Sequence, residues 1–93
     1  MKLSQEKLIE ALEQTFKLEF VSDGARFSRH NEGSIWISAE NRETASDGRD
    51  LFDYYSEDEN YIFGIHPEFE SFIEERGWWC EWYDAGTLFL FES

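Results

Sequence analysis

The segment that most constrains the fold is 66–91, with the sequence HPEFESFIEERGWWCEWYDAGTLFLF. It predicts one helix followed by one β-hairpin. Pro67 suits the first helical position, because that position needs no backbone N–H and the fixed φ of proline is helical. Gly77 suits the left-handed conformation in which helices end. Between these two residues an apolar face repeats at helical spacing, formed by Phe69, Phe72 and Ile73.

The predicted hairpin has strands at 78–83 and 87–91, joined by a turn at 84–86. Side chains alternate between the two faces of a strand. One face therefore carries Trp78, Cys80 and Trp82, and the other carries Trp79, Glu81 and Tyr83. Because both faces are aromatic, either the fold covers both of them or one face is left for a partner.

The first half of the chain predicts a helix and a three-stranded meander. A helix is expected over residues 5–17, with Ser4 as its N-cap and an apolar stripe that begins at Leu8. Strands are expected on both sides of Asp23-Gly24, a dipeptide typical of tight hairpin turns, so that Phe20 would face Phe27. A second turn at 31–33 leads to the third strand at 34–39.

The polar stretch 40–50 shows no apolar periodicity, which predicts a mobile connection or a short edge hairpin turning at Asp47-Gly48. Two further strands are expected at 51–55 and 61–65. The element order is then α-β-β-β-β-β-α-β-β in a single domain, 1–93. This order predicts an α+β fold, a twisted antiparallel sheet with two helices packed mainly on one face.

Charge divides the chain into two unequal halves. The net charge is −13, and residues 50–93 contain twelve acidic residues and only one base, Arg76. This asymmetry argues against direct binding to nucleic acid or to an anionic membrane, and it permits binding to a basic protein surface. Salt adaptation, suggested by only three lysines, and a surface tuned for solubility are the competing explanations.

Motifs that would indicate catalysis are missing from the sequence, which contains no G-x-S-x-G, H-E-x-x-H or phosphate-binding glycine loop. We therefore expect neither an enzyme nor a cofactor. Asp53 and the run 57–60 offer oxygen ligands for a hard divalent cation, but their spacing departs from that of an EF-hand. A metal-binding protein and a small hydrolase are therefore lesser alternatives. A single cysteine, Cys80, excludes an intrachain disulfide and suggests a reducing, cytoplasmic location.

The resulting hypothesis is a noncatalytic protein-binding module for a basic surface, and its finer form is a nucleic-acid mimic that inhibits a nucleic-acid-binding protein. The acidic residues expected at the interface are Asp50, Asp53, Glu57, Asp58, Glu59, Glu68, Glu74 and Glu75. The aromatic residues expected between them are Tyr54, Tyr55, Trp79 and Tyr83. The alternative is a salt- or solubility-adapted domain that binds its partner through the aromatic hairpin.

Overall fold

The residues described by a computed structural model, 2–40 and 43–93, form two helices and a four-stranded antiparallel sheet. The helices are α1 (Gln5–Phe16) and α2 (Pro67–Glu75). The strands lie in the order β1-β2-β4-β3, and their bounds are β1 (Val21–Asp23), β2 (Ile35–Ser38), β3 (Trp78–Asp84) and β4 (Thr87–Glu92). The α+β class is confirmed, with four strands where seven were predicted.

Helix α1 has the predicted start and ends one residue early. The Ser4 hydroxyl accepts a hydrogen bond from the Lys7 N–H at 3.3 Å, which satisfies one of the free donors of the first turn. Lys17 adopts φ 55° and closes the helix, its N–H donating to the Glu13 carbonyl.

Helix α2 begins at Pro67, as predicted, and its cap is His66. The Nδ1 atom of His66 accepts a hydrogen bond from the Glu68 N–H at 3.0 Å. Gly77 has φ 85°, so a residue with positive φ follows the helix where the sequence placed one.

Both helices pack on the same face of the sheet, as predicted. Their buried side chains meet those of β2 and β4 in one apolar cluster, in which each buried aliphatic or aromatic side chain stabilises the fold by about 1.5–3 kcal/mol. The Phe16 and Phe69 rings join the two helices, with centroids 5.4 Å apart. Members of the cluster from these four elements are Leu8, Leu12, Phe16, Ile35, Ile37, Phe69, Ile73, Leu88 and Leu90.

The predicted three-stranded meander is wrong, because only β1 and β2 form in that region. Val21 pairs with Ile37, and short 3₁₀ turns at Gly24–Arg26 and Arg29–Asn31 replace the middle strand. Gly24 lacks the positive φ that a two-residue hairpin turn of this kind requires. It provides close packing instead, since a Cβ at this position would collide with the Ser34 hydroxyl.

The predicted strands 51–55 and 61–65 are also wrong. They pair only through an isolated bridge between Phe52 and Ile65. Beyond the bridge, Ser56 and Asp58 accept hydrogen bonds from nearby backbone N–H groups and curl the chain into turns. Phe52 and Ile65 nevertheless enter the core cluster, so the apolar pattern predicted burial correctly but not strand geometry.

The polar stretch 40–50 includes residues 41 and 42, which lie outside the described residues. Over the rest of it, a bridge between Thr44 and Asp50 closes a tight turn in which Gly48 has φ 83°. This turn fits the edge-hairpin alternative rather than a long irregular loop.

Candidate functional site

The segment 44–66 between β2 and α2 carries most of the predicted site, and polar contacts hold it in place. Arg49 forms an ion pair with Asp58 and lies over the Tyr61 ring, 5.0 Å from its centroid. The Tyr61 hydroxyl in turn donates to the Asp50 carbonyl at 2.6 Å. These contacts tie the two ends of the acidic stretch together.

A second set of contacts fastens this segment to the start of α2. Glu68 accepts hydrogen bonds from both the hydroxyl and the N–H of Ser46, and these bonds lower the pKa of the Glu68 carboxyl. The pKa of Asp47 is lowered as well, first by the Arg49 N–H and then by the hydrogen bond that His66 makes to its carboxylate at 2.9 Å. Since Nδ1 of His66 accepts the capping bond, the proton toward Asp47 lies on Nε2.

The structure separates the eight predicted acidic residues into two groups. Six lie on the 44–66 segment or at the adjacent start of α2, and two lie at the far end of α2. Of the first group, Asp58 and Glu68 are already engaged by Arg49 and Ser46. The members of the first group with exposed, unengaged side chains among the described residues are Asp53, Glu57 and Glu59. We call these three residues the acidic rim.

Asp50 is half-buried, and its backbone carbonyl accepts the hydrogen bond from the Tyr61 hydroxyl. Glu74 and Glu75 are exposed near the C-terminal end of α2. They lie six and seven residues beyond Glu68, or roughly 9 and 10.5 Å along the helix axis at 1.5 Å per residue. They extend the acidic surface away from the loop rather than adding to the rim.

Two of the predicted aromatic residues lie beside the acidic rim. Tyr54 packs edge-to-face on Tyr55 and on Trp82, each at 5.1 Å between centroids. Tyr55 is 79% exposed. Trp82 belongs to the helix-covered face of the sheet, so these tyrosines lie at the border where the core cluster ends.

Sequence reasoning missed the most exposed large apolar side chain of the described residues, Phe63. Ile62 and Ile65 exchange two backbone hydrogen bonds, at 2.9 and 3.0 Å, around a tight two-residue turn. Phe63 and Gly64 occupy this turn with φ 51° and 83°, the signs of a type I′ turn. The Phe63 side chain is 90% exposed. The signal in the sequence was Gly64, which can adopt positive φ, but the apolar run 61–65 around it predicted a strand instead.

We define the turn patch as the exposed apolar residues beside this turn, which are Tyr54, Tyr55, Ile62 and Phe63. A phenylalanine in the left-handed region is rare, because its Cβ approaches the backbone too closely, at a cost of about 1–2 kcal/mol. Such strain is concentrated at binding and catalytic sites more than elsewhere.

The other two predicted aromatic residues lie on the opposite face of the sheet. There the rings of Trp36, Phe27 and Phe89 interlock edge-to-face at 5.1 Å. Tyr83 packs on Phe27 at 5.0 Å yet remains 63% exposed. We call this the far-face cluster, made of Phe20, Phe27, Trp36, Tyr83 and Phe89. Trp79 lies beside it against Phe91.

Cys80 and His66, whose side-chain types are often used in catalysis, are engaged structurally. Burial, together with the nearby charge of Glu70, raises the pKa of the Cys80 thiol far above its usual range and makes it a poor nucleophile at neutral pH. His66 is buried, with both ring nitrogens occupied by the contacts described above.

Within residues 2–40 and 43–93, no three His, Cys, Asp or Glu side chains are grouped so as to hold a metal ion. Nor does that part of the chain contain a helix long and apolar enough to span a membrane.

No protein-family model matches the chain, and neither a curated protein nor a solved structure matches it.

Proposed function

We propose that this protein is a noncatalytic binding module that uses the acidic rim and the turn patch to bind a basic surface of another protein. The finer form of the proposal is that the partner surface is one that otherwise binds nucleic acid, so that the protein acts as an acidic mimic and inhibitor. Neither form requires a cofactor.

The observation that carries this proposal is the position of the unengaged carboxylates. Asp53, Glu57 and Glu59 are exposed on one loop, and they form no ion pair within the described part of the chain. Arg49, the base nearest to them in sequence, is already paired with Asp58. Carboxylates whose charge is not neutralised attract a basic partner and accelerate its association.

The aromatic residues beside the acidic rim can contribute the binding affinity that charge alone does not supply. Exposed ion pairs contribute little affinity because water screens them. Interfaces gain most of their binding energy from a few aromatic anchors that become buried, surrounded by polar residues. Tyr54, Tyr55 and Phe63 beside the acidic rim have this composition.

A charge-reversed variant tests the proposal. The variant replaces Asp53, Glu57 and Glu59 with lysine and leaves Asp58 in place, because removing Asp58 would free Arg49. A matched control replaces Glu6, Glu10 and Glu13, which are exposed on α1, with lysine. Both variants change the net charge equally, and circular dichroism is used to check that each is folded.

Each protein is immobilised and exposed to a lysate of its native host at about 50 and 500 mM salt, where screening is weak and strong respectively. We expect the wild type and the α1 control to retain the same basic proteins at low salt only, and the rim variant to lose them. Retention by the rim variant equal to that of the wild type contradicts the proposal. Release of these proteins by added duplex DNA supports the mimic, whereas resistance to DNA restricts the function to binding a basic protein.

The far-face cluster, together with the neighbouring Trp79, supports a second candidate function. Trp79 and Tyr83 are 44% and 63% exposed, so a partner could cover the hairpin without using the acidic rim. Apolar association of this kind is retained at high salt. Partners that resist about 500 mM salt and are lost in Trp79→Ala would favour this function over the acidic one.

A further inference from the structure

In the turn at Phe63-Gly64, Phe63 has an unfavourable backbone conformation and an apolar side chain that is exposed to solvent. Phe63 holds φ 51° in a turn position where asparagine, aspartate or glycine is ordinarily preferred. Its ring is 90% exposed, and the described residues provide it with no ring partner. Neither the backbone nor the side chain therefore gains stability in the isolated protein from having phenylalanine at this position.

The turn that presents the ring is nevertheless firmly held. The Asp53 N–H donates to the Gly64 carbonyl at 2.7 Å, and the Trp82 indole N–H donates to the Phe63 carbonyl at 2.7 Å. A Cβ at Gly64 would lie 2.5 Å from the Asp53 carbonyl oxygen, so the two chain segments are in close contact. The backbone of the turn that carries the ring is therefore fixed by these contacts.

The backbone that carries the ring is already fixed, so burial of the ring by a partner costs side-chain freedom but little backbone ordering, which is the advantage of a preorganised anchor. The side chains around it determine the kind of partner. Tyr54 shares a shallow groove with Phe63, and the acidic rim occupies the same loop. A complementary surface must then offer an apolar recess bordered by positive charge.

We propose that Phe63 is the anchor residue of this protein, inserting into an apolar pocket that is bordered by lysine or arginine on a basic partner protein. This inference rests on the proposed function and names the contact that would supply most of its affinity.

Site-specific photocrosslinking tests where Phe63 goes. The full-length chain is prepared with p-benzoylphenylalanine at position 63, or at position 83 as a control, and irradiated in host lysate at low salt. We expect position 63 to yield an adduct with a discrete basic protein, crosslinked at an apolar peptide flanked by lysine or arginine. We expect position 83 not to yield that adduct.

The crosslinked protein is then purified for binding measurements. Phe63→Asn should weaken its binding by about 30-fold, the loss typical of an anchor residue, whereas Phe63→Leu should retain much of the affinity. Phe63→Asn should also unfold at the same or a higher temperature than the wild type, because asparagine tolerates the left-handed region better. A loss of binding in this variant is then not a loss of folding.

Three outcomes overturn the inference. They are the absence of an adduct at position 63, an adduct with a second copy of this chain, and undiminished affinity in Phe63→Asn. If any of these occurs while capture still depends on the acidic rim, the anchor is wrong and the proposed function stands. If capture does not depend on the acidic rim, the proposed function itself fails.

Discussion

The molecule carries two groups of aromatic side chains outside its main core, and they differ in what the rings contact. In the far-face cluster the rings hold one another, and Phe89 at its centre is only 3% exposed. In the turn patch, the Tyr54 ring packs on Trp82. Phe63, in a strained turn, has no ring to pack on among the described residues. The first group behaves as a second, smaller core, and the second as a surface prepared for contact.

This difference shows why aromatic composition alone is a poor guide to a binding site. The hairpin is rich in aromatic residues, yet Phe27 packs from within the chain on two of them, Tyr83 and Phe89. Phe63, a single phenylalanine beside a glycine, attracted no attention. What distinguishes the two groups is whether a ring has a packing partner, and this depends on the tertiary structure.

Truncating one ring from each group should give the largest contrast in stability. Phe89→Ala should destabilise the protein by about 3–5 kcal/mol, because it leaves a cavity among closely packed rings. Phe63→Ala should change the free energy of unfolding by less than about 0.5 kcal/mol, because its side chain makes little contact to lose. Urea unfolding of both variants measures the contrast.

Similar losses from the two substitutions would show that the Phe63 ring is packed and not presented, and would remove the basis for treating it as an anchor. Little loss from Phe89→Ala would show that the far-face cluster is loose, which would strengthen the alternative that a partner covers this face.

Much of the fold follows from local patterns in the sequence. Pro67 and Gly77 delimit α2, Ser4 starts α1, and the alternation in 78–83 places Trp78 and Trp79 on opposite faces of the sheet. These features depend on neighbours within a few residues, which is the range over which sequence patterns are informative.

The errors arose where distant contacts decide the conformation. Asp23-Gly24 is a strong hairpin signal, but Gly24 is needed to fit against Ser34, ten residues further along the chain. The backbone of Phe63 is left-handed, and its carbonyl accepts a hydrogen bond from the indole N–H of Trp82, nineteen residues away. The acidic rim could be named from the sequence, whereas its separation from the engaged Asp58 and Glu68 required the tertiary structure.

Loosening the base of the turn patch should have a smaller effect than truncating Phe89. Trp82→Phe keeps an aromatic ring but removes the hydrogen bond to the Phe63 carbonyl, so we expect a loss of about 0.5–1.5 kcal/mol. Hydrogen exchange should show faster exchange of the Asp53 amide, which is protected by its bond to Gly64, while amides of β4 change no more than the global loss requires. Equal changes at both places would show that the turn is not a separate unit of stability.

The smallest expected effect concerns pH and the tether between Ser46 and Glu68. Because these hydrogen bonds lower the pKa of Glu68 in the folded state, their contribution is present above its ordinary value of 4.5 and is lost as the pH falls through the lowered value. Glutamine has no carboxyl group to ionise, so Glu68→Gln should be less stable than the wild type at pH 6. The expected difference is about 0.5 kcal/mol or less, because the site is well solvated. The difference in the free energy of unfolding between the two proteins should narrow toward pH 3, as measured by urea unfolding.

The loss caused by Phe89→Ala, which rests on apolar packing, should stay constant over the same pH range and serves as the control. A difference between wild type and Glu68→Gln that is unchanged from pH 6 to pH 3 would show that the charge of Glu68 does not stabilise the tether.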